Sequence, residues 1–160
     1  MADDRPFHER QQYMRCGLHA ANNLLQRRVF SSADLDAVAA DISPGSWRNP
    51  LGNYDVQVLS VALQRQGFEV SYFDVRRPME ALPLETSVGL VCNVPQSSLL
   101  GLWQSRHWFT IRKVHDTYYN LDSKLATALP FNDAAAVRTY LAKSLAEQPT
   151  TTILVVTQAS

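Results

Sequence analysis

Cys16 is the residue whose type and place first suggest covalent chemistry. It stands just ahead of Leu18, Ala21 and Leu25, apolar residues at helical spacing, so the helix they predict starts at the thiol. The peptide dipoles at such a start place about half a positive charge beside the sulfur and favour thiolate over thiol. Cysteines held there, with an imidazolium nearby, ionise well below the ordinary thiol range. The plainer reading is a small buried hydrophobe, as most free cysteines are. That reading is the better one for Cys92, which lies inside the apolar run Val88–Val94.

A nucleophilic thiol needs a base, and His107 is the best placed. It opens the run His107-Trp108-Phe109-Thr110-Ile111, followed by Tyr118-Tyr119-Asn120-Leu121-Asp122-Ser123. If these are two arms of a hairpin with an even-numbered loop, His107 shares a face with Tyr118, Asn120, Asp122 and Lys124. Asp122 could then accept from the imidazole and fix its tautomer, the task of a third triad member. Each residue has a blander reading: a strand-end histidine, and a turn acid, since Asp-Ser commonly opens turns. Trp108, on the opposite face by alternation, reads as core rather than as a wall of the site.

The other histidines carry less. His115 falls in the expected turn, and His8 has no partner that sequence identifies. His19 follows Cys16 by three residues, but two ligands without a further cluster make no zinc site. Acyl transfer also needs donors aimed at the developing oxyanion. The backbone amide of Cys16 is one; a side-chain amide from Gln11 or Gln12 is another, and physics alone leaves those two open.

The elements that must position these groups follow from the apolar periods. Helices are expected over 17–27, closed by Arg27-Arg28; from Ser31, with Asp34 completing a capping box, to Ile42; from an Asn53 cap to Gly67; and over 133–147, capped by Asn132. Strands are expected over 68–72, 88–94, 107–114, 117–124 and 153–156, with a turn at His115-Asp116 and loops over 75–87 and 95–106. Helices first and strands afterwards argue for an α+β fold with a mainly antiparallel sheet.

Composition bounds the rest. The 160 residues make about one domain, and fifteen basic residues balance fifteen acidic ones. Such a chain lacks the cationic footprint of a nucleic-acid binder. No apolar run reaches the ~20 residues of a membrane span, and Met1-Ala2-Asp3-Asp4-Arg5 is no secretory signal. Two cysteines suit a reducing compartment, so a cytoplasmic monomer without metal or cofactor is expected.

The motifs together resemble a known family. Phe7-His8-Glu9-Arg10-Gln11, then Cys16, then Leu18-His19-Ala20-Ala21-Asn22-Asn23-Leu24-Leu25-Gln26 are similar to the opening of the Josephin family. Gly52-Asn53-Tyr54-Asp55-Val56, His107-Trp108 and Tyr118–Leu125 extend the likeness over about Phe7 to Thr157. It is greater to the short, free-standing members than to the polyglutamine ataxin. The resemblance implies a papain-like fold, deubiquitinating activity and ubiquitin or ubiquitinated proteins as partners. It also implies Cys16 as nucleophile, His107 as base, Asp122 as third residue and Gln11, not Gln12, as the oxyanion glutamine. The short stretch Asp41–Asn53 implies a reduced arm over the substrate channel. Two other readings stand beside this one: a ubiquitin-binding module with little turnover, and a hydrolase of small thioesters or esters.

Overall fold

Short polar side chains cap three of the α-helices among the described residues. The computed structural model describes residues 4–11, 15–42, 55–97 and 104–160. Ahead of α2 (Ser32–Ile42), the Ser31 N–H donates to Asp34 Oδ2 at 2.7 Å while the Asp34 N–H donates to Ser31 Oγ at 3.2 Å. This is the expected capping box, built with Asp. For α3 (Val56–Arg65) the cap is Asp55, which accepts from the Val58 N–H; the Asn53 expected there lies outside the described residues. For α4 (Ala134–Glu147) the cap is Asp133 rather than Asn132, because Asp133 stands at the spacing from which a side chain reaches the Ala136 N–H.

The first helix, α1 (Cys16–Leu25), begins at the thiol as expected. It ends before Arg27-Arg28 instead of on them. Gln26 takes a left-handed conformation (φ 58°), and the Arg27 N–H turns back to the Asn22 carbonyl.

Six strands, β1 (Phe68–Tyr72), β2 (Gly89–Ser97), β3 (Gln104–Val114), β4 (Thr117–Asn120), β5 (Leu129–Pro130) and β6 (Thr152–Gln158), form one sheet. The order is β1-β6-β2-β3-β4-β5, and every pairing is antiparallel. The α+β expectation holds. Alternation divides the core: Val91, Trp108, Leu154 and Val156 pack with α1–α3, while Leu90, Cys92, Phe109, Ile111, Ile153 and Val155 pack with Val137 and Leu141 of α4.

The β3–β4 hairpin turns at His115-Asp116 as expected, both residues with positive φ (47° and 65°), the turn that suits strand twist. Two expectations need correction. Residues 95–97 and 104–106 are not loop, because the β2–β3 ladder runs on to Ser97↔Gln104. Pro95 is tolerated there because β6 stops pairing with β2 at Asn93. The strand expected over 117–124 ends at Asn120: Asn120 Oδ1 accepts from the Asp122 N–H, and Asp122 Oδ1 from the Lys124 N–H, so side chains bend the backbone out of the ladder. The stretch 43–54, which holds most of the expected short arm, lies outside the described residues.

Candidate active site

The early end of β4 creates the site. The Leu121 N–H still reaches the Thr110 carbonyl, but the chain then turns away and the N-terminal part of β3 loses its neighbour on that side. There the Trp108 N–H donates to Cys16 Sγ at 3.5 Å. The start of α1 thus occupies a place the sheet leaves vacant. Thr110 Oγ1 fastens the same helix by donating to the Ala20 carbonyl at 2.8 Å, and Arg112 Nη1 donates to the Leu24 carbonyl.

Cys16 is 6% exposed and free of disulfide. His107 is buried too, its ring stacked on Phe109 with centroids 6.5 Å apart, and it is electrostatically coupled to the Cys16 thiol. His107 Nε2 donates to Asp122 Oδ1 at 2.7 Å, which leaves Nδ1 as the nitrogen for the sulfur. The three residues expected to act together are therefore brought together. Asp122 stands in a turn beyond the strand, however, and not on a shared strand face.

Electrostatics follow from these contacts. Burial opposes a Cys16 thiolate, but hydrogen bonds from His107 and the Trp108 N–H outweigh it and lower the thiol's pKa. Burial likewise opposes an imidazolium at His107, yet Asp122 and Cys16 raise its pKa to about 9. Burial pushes Asp122 up; the bond from His107 prevails and its pKa is lowered. Cys92 has no such partners, and burial alone pushes it up to about 12. The arrangement favours a thiolate–imidazolium pair at Cys16 and His107, which can attack a carbonyl and then supply a proton.

The segment 7–11, which ends at Gln11, lies between α1 and the turn after β4. Three successive carbonyls of that turn accept from the N-terminal half. Leu121 O takes Asn23 Nδ2 at 2.9 Å, Asp122 O takes His8 Nε2 at 2.7 Å, and Ser123 O takes the Gln11 N–H at 2.8 Å. His8, which sequence left without a partner, thus holds the backbone of the Asp122 turn. Gln12 lies outside the described residues.

A buried polar cluster fixes the segment's other side. Asn23 is fully buried; its Oδ1 accepts from the Glu9 N–H at 2.6 Å, and its Nδ2 donates to the Glu9 carbonyl at 3.2 Å. The Glu9 carboxylate takes His19 Nδ1 at 2.5 Å, Asn22 Nδ2 at 3.1 Å and Arg28 Nε at 3.1 Å. His19 is therefore a partner of Glu9, and among the described residues no group of three or more metal-ligating side chains is assembled. Sequence reasoning missed Glu9, Asn22, Asn23 and Ser123. The signal was there: two adjacent asparagines inside an apolar-patterned helix are poor helix formers and need tertiary partners.

Known proteins resemble this chain along most of its length. The family model described as Josephin matches residues 11–157. Josephin-2 from Mus musculus is 41% identical over 162 residues, covering 95% of this chain and 86% of that one. A Josephin-like protein from Drosophila melanogaster is 42% identical over 131 residues, covering 74% of this chain and 59% of that one. Ataxin-3 from Gallus gallus is more distant, 29% identical over 166 residues, covering 88% and 41%. Among the described residues no helix is long and apolar enough to cross a membrane.

Proposed function

This chain belongs to the Josephin family, and from that premise we propose that it is a deubiquitinating cysteine protease with Cys16 as its nucleophile. The observation that carries the reading is the meeting of three groups at the start of α1: Asp122 bonded to His107 at 2.7 Å, and His107 coupled electrostatically to the Cys16 thiol.

The reaction has two halves. The Cys16 thiolate adds to the carbonyl carbon of ubiquitin's C-terminal glycine, and the oxygen takes up the negative charge. Collapse of this adduct breaks the C–N bond; the His107 imidazolium gives its proton to the departing lysine amine, leaving a thioester. Neutral His107 then takes a proton from water, the hydroxide adds to the thioester, and the thiolate departs with ubiquitin free. Asp122 holds the ring and stabilises its charged form. Gln11 and the Cys16 backbone N–H stabilise the oxyanion, a role in which loss of one donor costs about 10²–10³ in kcat.

The test is incubation with ubiquitin bearing a C-terminal electrophile. A covalent adduct in the native chain, absent from Cys16→Ala, supports the proposal. Binding without an adduct would replace it with a ubiquitin-binding module, and labelling by small thioester analogues alone would replace ubiquitin as the substrate.

A further inference from the structure

We propose that Ser123 is a positioning residue that sets the orientation of the Gln11 carboxamide; the inference rests on the oxyanion role given to Gln11 above. Two contacts join the residues. The Gln11 N–H donates to the Ser123 carbonyl at 2.8 Å, and Ser123 Oγ donates to Gln11 Oε1 at 3.3 Å. Ser123 is buried, 3% exposed, so its hydroxyl has little water to turn to.

A carboxamide has an acceptor end and a donor end of nearly equal size, and its last torsion is broad and roughly two-fold. Nothing in the shape of a glutamine decides which end faces a reacting oxygen. An oxyanion is stabilised by the NH2 end and repelled by the carbonyl end, so a flipped amide would work against catalysis. In this structure the Ser123 hydroxyl meets the carbonyl end, Oε1, and the NH2 fork is turned away from Ser123. The backbone contact fixes where the glutamine begins, and the side-chain contact fixes which way it ends.

The position of Ser123 gives this further meaning. It directly follows Asp122, whose carboxylate accepts from His107. One turn therefore orients two parts of the chemistry, the imidazole through residue 122 and the oxyanion amide through residue 123. The turn is itself held by His8, Asn23 and the Gln11 N–H, so both orientations depend on the same seam between the chain's two halves.

The experiment is a double-mutant cycle with Ser123→Ala and Gln11→Ala in the full chain, using ubiquitin with a C-terminal fluorogenic amide. Ser123→Ala should lower kcat about tenfold, less than complete loss of an oxyanion donor, with KM unchanged. The double variant should be no slower than Gln11→Ala alone. The rate and pH profile of Cys16 alkylation should stay as in the native chain, because neither sulfur nor imidazole is touched. In ¹⁵N-labelled protein, the side-chain NH2 resonances of Gln11, identified by their absence in Gln11→Ala, should move toward free-amide positions in Ser123→Ala.

Losses that multiply in the double variant, or an altered alkylation profile, would make Ser123 a support of the Asp122 turn and overturn the inference. Unmoved Gln11 resonances would overturn it as well. Should the native chain fail to cleave ubiquitin derivatives, the proposed function fails, and the amide resonances still decide whether Ser123 orients Gln11.

Discussion

His107 Nε2 and Asp122 Oδ1 meet at 2.7 Å although Asp122 lies two residues past the last residue of β4. Ladder pairing does not bring them together. The turn that does so is shaped by its own side chains and held by the N-terminal segment through His8 and Gln11. This carboxylate accepts from the Lys124 N–H as well as the imidazole, so its own turn anchors it against the ring.

That relationship sets the pH dependence of turnover. The thiolate–imidazolium pair exists between the lowered Cys16 pKa and the His107 pKa of about 9, so kcat/KM should describe a bell with its alkaline limb near 9. Asp122→Ala removes the acceptor that raises His107. The alkaline limb should move to lower pH and kcat/KM should fall about 10–100-fold. A pH–rate profile checks both, and an unmoved alkaline limb would dissociate Asp122 from the base. Because His107 is raised on folding, its ionic contribution to stability is full below about 6.5 and fades as pH rises through about 9.

The two cysteines should differ sharply in reactivity. At pH 7, iodoacetamide should label Cys16 and leave Cys92 untouched until the protein is unfolded, since the first is lowered and the second pushed up to about 12. Peptide mass spectrometry reads the result. Equal labelling in the native state would contradict the site's electrostatics.

Glu9 ties folding to pH from the acid side. Burial opposes its charge, but Asn22, His19 and Arg28 prevail and its pKa is lowered. Its contribution is present above the ordinary carboxyl value of 4.5 and is lost as pH falls through the lower folded value. Glu9→Gln should cost about 2–3 kcal/mol at pH 7 by weakening three contacts to a charged group. Urea titrations at pH 7 and pH 4 should show a smaller cost at the lower pH. An equal cost at both would mean the carboxylate's charge is not what matters.

Two glycines, one within α1 and one packed against its last turn, should respond oppositely to a methyl group. A Cβ at Gly17 meets Trp108 Cδ1 at 3.4 Å and Leu59 at 3.5 Å, which is ordinary contact. A Cβ at Gly89 meets Leu24 Cδ1 at 2.8 Å and the Ile111 carbonyl at 3.0 Å, and the carbonyl belongs to the sheet backbone. Gly89→Ala should therefore destabilise by about 1–3 kcal/mol, while Gly17→Ala should be near neutral. Thermal melting separates them, and reversed outcomes would contradict the packing of α1 on β3.

Much of this was legible along the chain because it depends on neighbours in sequence. Hydrophobic period, turn residues and capping acids act over a few positions, and they predict α1–α4, every strand but the two-residue β5, the hairpin at His115-Asp116 and the thiol at the start of α1. Where those signals compete locally the reading slipped by a residue or two, as at the Asn132–Asp133 cap. The shared strand face expected for His107 and Asp122 failed for a related reason: Asn120 and Asp122 bond their own backbone and end β4 early.

Sequence by itself determined which groups could react, since a thiol, an imidazole and a carboxylate keep their intrinsic chemistry wherever they stand. Tertiary structure alone decided how they meet. The Trp108 N–H finds the sulfur only because β4 stops short, and the Leu121–Ser123 carbonyls find Asn23, His8 and Gln11 only once the two ends of the chain are folded together. Such contacts join residues about a hundred positions apart, and no periodicity or spacing encodes them, because a buried polar group is satisfied by whatever the fold brings within 3 Å or so.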